Sequence, residues 1–297
     1  MQLLVIGSNG QLGWELCRQA KERGFDLVPL DLPEFDITKQ DAVYSAVSQS
    51  NAYIVINAAA YTAVDKAESE PELAFAVNRD GPSYLASACA EVHIPLLHVS
   101  TDYVFDGKKT GPYLETDPVA PIGVYGKSKA EGEVEVRRKL KEHIILRTSW
   151  LCGVHGNNFV KTMLRLGRER EELRVVDDQH GCPTFAADLA EAILTIVSII
   201  EKADNIFWGT YHYCGGGSTT WFGFASKIFE IAKTYDTLKL KKVIPITTSE
   251  YPTPANRPAN SVLDCSLLKQ EFNISSPLWE QSLVRMITEY YLISNTR

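Results

Sequence analysis

Apolar and polar positions follow two alternating rhythms through the first half of the chain. Short, almost unbroken apolar runs occur at 3–6, 27–30, 53–57, 96–100 and 144–148. A strand with one face in water would alternate in polarity, so these runs predict strands covered on both faces. Between them, at 11–23, 39–49, 72–92 and 126–140, apolar residues recur every three or four positions, which predicts amphipathic helices. Strand and helix in turn build a parallel sheet with helices on both sides, and the expected class is α/β with a doubly wound parallel sheet. After Trp150 the alternation weakens, and loops rich in Gly, Pro, Asn and Tyr separate less regular elements. Residues 1–150 are expected to form one domain and 151–297 mainly a smaller C-terminal region. Segments within 186–213 are expected to return to the main sheet, and a further helix is expected at 221–233.

Composition narrows the classes of function. A chain of 297 residues with 45% hydrophobic and 23% charged residues can bury a large core, which excludes disorder and fibrous architectures. A net charge of -7 without any basic stripe argues against a nucleic-acid partner. An anionic small molecule remains open, since a diphosphate needs only one or two cations or a helix N-terminus. Cys17, Cys89, Cys152, Cys182, Cys214 and Cys265 lie far apart in the chain with no CxxC pair, and read as reduced thiols. The first strand begins at residue 2 or 3, which leaves no room for a signal peptide, and no apolar run has the length of a membrane span. The expectation is a cytoplasmic protein with no membrane partner.

The stretch LVIGSNGQLG at 4–13 sets Gly7, Gly10 and Gly13 directly between a strand and an amphipathic helix, with Asn9, Gln11 and Leu12 among them. Glycines allow a tight turn and close approach of the backbone to a pyrophosphate, whose charge meets free N–H groups at the helix start. The spacing is GxxGxxG, and a ligand-free glycine turn is the plainer alternative. Asp31 follows the second strand, about 20 residues past the glycines, where a carboxylate can bond the adenosine ribose hydroxyls and would repel a 2′-phosphate. That leans towards NADH; Asp36 nearby is ambiguous. The first 150 residues therefore read as a dinucleotide-binding domain, and the remainder as substrate-binding material.

Tyr125 and Lys129 are four residues apart in VYGKSKAEGE, on one face of a helix. An ammonium beside a phenol is expected to favour phenolate, bring its acidity closer to neutral and make Tyr125 a usable proton donor. Such a pair alone is common on solvated helices. Downstream of a dinucleotide loop, and after a strand ending in Ser100-Thr101-Asp102, it points to a catalytic set with Thr101 as third member. Ser100 and Thr101 could instead merely turn the chain.

With these residues the chain resembles the extended short-chain dehydrogenase/reductase family, a Rossmann-fold family, and within it the dTDP-4-dehydrorhamnose reductases. The most specific stretches are NAAAYTAVDKAESEPELAFAVN at 57–78, STDYVFDG at 100–107, VYGKSKAEGE at 124–133, RTSWLCGVHGNNFVKTML at 147–164 and YPTPANRPANSVLD at 251–264. The resemblance implies Thr101, Tyr125 and Lys129 as the catalytic triad and Ala58, Ala59 and Ala60 along the cofactor. It implies Thr62, Val64, Asp65, Tyr103 and Trp150 at nicotinamide or sugar, although Tyr103 and Trp150 could equally be core aromatics. Arg257 is implied at the nucleotide diphosphate, with Asn157 and Asn158 beside it. Glu15 and Glu289 match positions that hold a divalent ion at the dimer contact in some relatives; Mg2+ lacks a clear third ligand here, though Asp188 is close, and an exposed helical glutamate is the commoner case. The implied activity is reduction of a dTDP-linked keto-sugar by NADPH or NADH, in a homodimer. Two alternatives stand beside it: a sugar-nucleotide epimerase or dehydratase that retains its cofactor, and a non-catalytic regulatory subunit resembling the methionine adenosyltransferase beta subunit.

Overall fold

The computed structural model describes residues 1–203 and 205–295. Its central sheet holds β1 (Gln2–Ile6), β2 (Asp26–Leu30), β3 (Ile54–Asn57), β4 (Leu96–Thr101), β5 (His143–Thr148) and β6 (Gly209–His212). The spatial order is β6-β5-β4-β3-β1-β2, and every neighbouring pair is parallel. The order reverses at β1, which leads to β2 on one side and to β3 on the other. A crevice opens at such a switch point beyond the carboxyl ends of the strands.

Successive residues of β1 face opposite sides, and each side has its own core. Leu3 and Val5 point towards α1 (Gln11–Glu22), α6 (Ala186–Lys202) and a cluster that includes Leu16, Ile193 and Val197. Leu4 and Ile6 point to the other side, where Val43, Leu85 and Val136 come from α2 (Gln40–Gln49), α3 (Gly81–Val92) and α4 (Val124–Lys139). Residues 186–212 thus supply both a helix against α1 and the sixth strand beside β5. A separate apolar core lies between α5 (Phe159–Glu169), α7 (Trp221–Ala232) and α8 (Trp279–Asn295), with a parallel ladder of Glu172–Val176 and Lys242–Ile246. No helix among the described residues is long and apolar enough to cross a membrane.

Two elements depart from the sequence reading in ways that bear on the site. The helix expected at 72–92 is interrupted by a π-helical turn, Ala76–Asp80, between Pro71–Phe75 and α3. Buried Asn78 sits in this wide turn, accepting from the Tyr61 amide at 2.8 Å and donating to the Tyr61 carbonyl and to Ser128 Oγ. It ties the chain beyond β3 to α4. The second difference is that α4 starts at Val124 rather than 126, which places Tyr125 in its first turn. Glu68 accepts from the Val124 amide at 2.9 Å and satisfies one of the donors that a helix start leaves free.

Candidate active site

The three loop glycines have different reasons to be glycine. Gly7 follows β1 at φ 83, and a Cβ there would lie 2.5 Å from the Ala59 nitrogen. A Cβ on Gly13 would come 1.9 Å from the Gly7 carbonyl oxygen. Both are demanded by the protein's own packing. Gly10 is not: a Cβ there would meet only the Gly7 oxygen, at 3.4 Å, and otherwise open space. Gly10 also stands at the start of α1, whose first N–H groups have no side-chain cap. An uncapped helix start behind an open glycine fits the diphosphate of a dinucleotide in shape and in donors.

The neighbours expected around this loop meet it. Asp31 accepts from the Asn9 amide and from its own neighbour Leu32, each at 2.7 Å, fastening the loop tip to the end of β2. Ala58, Ala59 and Ala60 run half-buried from the end of β3, with Ala59 against Gly7. The Gln11 side chain accepts from Asn158 at 2.8 Å. Leu12 is buried in the core between the sheet and α6, so only its backbone N–H remains for a ligand. Asp36 bonds the amide and hydroxyl of Thr38 and so braces its own turn.

Thr101 closes β4, and Tyr125 rises beside it from α4. Gly126 permits this, since a Cβ there would lie 2.2 Å from the Tyr103 carbonyl oxygen. Thr101 Oγ1 donates to Asp102 at 2.9 Å and accepts from the Tyr103 amide at 3.2 Å. Tyr125 is half-buried and keeps part of its surface exposed. Burial pushes that phenol up to about 12, with the neighbouring Thr101 side chain drawing it the other way and the Asp102 charge adding to the rise. The expected downward pull of Lys129 is absent. The reason is where the amine points: Lys129 is 1% exposed and donates to the Val99 carbonyl at 2.7 Å, and burial lowers it to about 8 against the opposing charge of Glu133. The phenol therefore stays protonated at neutral pH, which suits a proton donor.

Beneath these groups lies a polar layer whose members stand in the quoted stretches at 124–133 and 147–164 without having been singled out. Glu133 accepts from Arg147 Nε at 2.8 Å and Nη2 at 2.7 Å, with both side chains buried between α4 and β5. Despite burial, Arg147 holds the Glu133 carboxyl below its ordinary range. Asp102 is 2% exposed, and burial pushes it up to about 6.

On the side facing the second core, Asp65 and Arg257 pair at 2.8 Å, and the Ala255 amide donates to the same carboxylate. The Arg257 bond holds Asp65 below its ordinary range. Tyr103 meets Tyr125 edge to face at 5.4 Å, and burial pushes its phenol up. Thr62 is exposed and Val64 half-buried, at the short helix Val64–Ala67. Trp150, half-buried against the second core, stacks at φ 48 on Trp221 with centroids 3.5 Å apart. Asn158 caps α5 by accepting from the Lys161 amide. Glu15 is 1% exposed rather than solvated, because Arg18 covers it at 2.8 Å. Burial pushes the Glu289 carboxyl up, with the charge of Glu15 adding to it. Among the described residues no three His, Cys, Asp or Glu side chains group to hold a metal ion.

Residues 1–292 match the family model described as RmlD substrate binding domain. A dTDP-4-dehydrorhamnose reductase of Sinorhizobium fredii is 46% identical over 290 residues, 97% of each chain. The solved dTDP-4-dehydrorhamnose reductase of Clostridium acetobutylicum is 40% identical with a TM-score of 0.91, covering 97% of this chain and 99% of that one. That of Bacillus anthracis, solved in complex with NADP, is 41% identical with a TM-score of 0.89 over the same shares.

Proposed function

This chain belongs to the RmlD substrate-binding family, and on that premise we propose that it reduces dTDP-4-dehydro-L-rhamnose to dTDP-L-rhamnose with NADPH or NADH. The observation that carries the reading is the placing of Thr101 at the end of β4, Tyr125 in the first turn of α4 and Lys129 one turn further on, alongside the open Gly10 turn. The reduced nicotinamide supplies the hydride for carbon four of the sugar. Thr101 orients the sugar carbonyl, and Tyr125, neutral at physiological pH, gives its proton to the oxygen as charge develops there. Lys129 holds the ribose next to the nicotinamide. Asp31 serves the adenosine ribose, while Asp65 and Arg257 form the wall for the sugar nucleotide, where a guanidinium can bond a diphosphate through two parallel contacts. Residues 1–150 with 186–213 act as the cofactor unit and the remainder chiefly as the substrate unit, in a cytoplasmic enzyme.

The likeness to dTDP-4-dehydrorhamnose reductases over nearly the whole chain favours net reduction over the epimerase alternative. The test is an assay in which dTDP-4-dehydro-L-rhamnose is made in situ and nicotinamide absorbance is followed. Stoichiometric loss of added NAD(P)H supports the reductase. Conversion without that loss points to the epimerase or dehydratase, and no turnover at all to the regulatory subunit.

A further inference from the structure

We infer that Cys214 and Cys265 form an oxidisable dithiol, which a hydroperoxide closes into a disulfide. Their sulfurs are 3.6 Å apart although 51 residues separate them in the chain. Cys214 lies just beyond β6, and Cys265 precedes the helix Ser266–Phe272. A disulfide bond is about 2.05 Å long, so closure asks the sulfurs to approach by roughly 1.5 Å, within the reach of side-chain rotation. Both thiols, together with Cys182, line a surface cavity of about 440 Å³ through which a small oxidant reaches them. Cys214 is buried and Cys265 half-buried. Cys265 is the more accessible sulfur of the pair, so the first attack on peroxide falls to Cys265.

The Cys265 sulfur attacks one peroxide oxygen and breaks the O–O bond, becoming a sulfenic acid, while the other oxygen takes up the proton the Cys265 thiol gives up and leaves as water. The Cys214 sulfur then displaces hydroxide from that sulfenic acid, and the hydroxide departs as water with the Cys214 proton. Two thiols and one hydrogen peroxide thus become one disulfide and two waters. The closed pair would clamp the segment that follows Arg257 to the exit of β6. The step needs neither nicotinamide nor sugar, so it stands apart from the proposed reductase activity.

The test treats the reduced full-length chain with hydrogen peroxide, blocks remaining thiols with a maleimide and maps peptides by mass spectrometry. The expected result is loss of two hydrogen masses, protection of two of the six thiols and a peptide joining Cys214 to Cys265, all reversed by dithiothreitol. Cys265→Ser should abolish the cross-link and Cys182→Ser should keep it. Oxygen added stepwise to Cys265 with no cross-link, a link through Cys182, or no reaction where free cysteine is oxidised would each overturn the assignment.

Discussion

His98 Nε2 lies 3.4 Å from the Nζ of Lys129, inside the contact between β4 and α4. The Asn57 amide decides which protons face each other. Its oxygen accepts from the Ala59 N–H at 3.1 Å, so its NH2 group donates to His98 Nδ1 at 3.0 Å. Burial lowers the His98 imidazole well below its ordinary value, and the neutral ring then carries its single proton on Nε2, towards Lys129. Two donors facing one another repel, so this contact favours the neutral amine. Burial acts in the same direction and brings Lys129 to about 8.

A stability measurement checks that value. Between about 8 and its ordinary 10.5, Lys129 leaves the folded chain with fewer protons than the unfolded one, so it makes stability rise with pH across that window. Lys129→Met removes this rise. The stability of the variant relative to the parent should fall by roughly 3 kcal/mol from pH 8 to 10.5 in urea unfolding. A difference that stays flat with pH places the amine nearer its ordinary value.

Tyr125→Phe keeps the ring that packs on Tyr103 and loses the proton. Turnover should drop by about 100-fold or more while NADPH affinity, read by fluorescence titration, stays within about twofold. Unchanged turnover would remove Tyr125 from the chemistry.

The glycines can be separated by experiment. Gly10→Ala should fold normally and weaken dinucleotide binding by about 10-fold, because the new methyl enters the space proposed for the diphosphate. Gly13→Ala should instead lose folded protein, since its Cβ would fall 1.9 Å from a carbonyl oxygen. Equal affinity of Gly10→Ala and the parent would place the diphosphate elsewhere.

Glu133→Leu leaves the Arg147 guanidinium buried and unpaired, at a cost of about 3–5 kcal/mol. The double variant Glu133→Leu/Arg147→Met should recover most of that loss in urea unfolding. If the double variant is as unstable as the single one, the pair does more than neutralise itself.

Arg257→Lys keeps the charge and loses the planar fork. KM for the sugar nucleotide should rise by about 10-fold with kcat little changed, measured at saturating NADPH. A fall confined to kcat would move Arg257 from binding to the chemical step.

Local spacing carried much of this molecule. Unbroken apolar runs announced the parallel strands, and the glycine turn and the Tyr125–Lys129 spacing announced where chemistry would gather, because turn geometry and the helical repeat are short-range properties. The same spacing misjudged the direction in which Tyr125 is perturbed. Four residues along a helix set neighbours on one face, but they do not say that Lys129 donates to the Val99 carbonyl or that burial raises the phenol. Glu15 was misjudged similarly, as a helical position does not disclose that Arg18 and neighbouring elements cover it.

What the chain by itself determined was the order of strands and helices and the position of the dinucleotide turn, since both depend on residues within a few positions of each other. Tertiary structure alone decided the contacts across long intervals: Asn78 with Tyr61, His98 with Lys129, Glu133 with Arg147, Asp65 with Arg257, Cys214 with Cys265. Those depend on which strand ends the sheet order places side by side and on how much water the packing leaves there. Both are properties of the assembled core, and neither has a signature in local residue spacing.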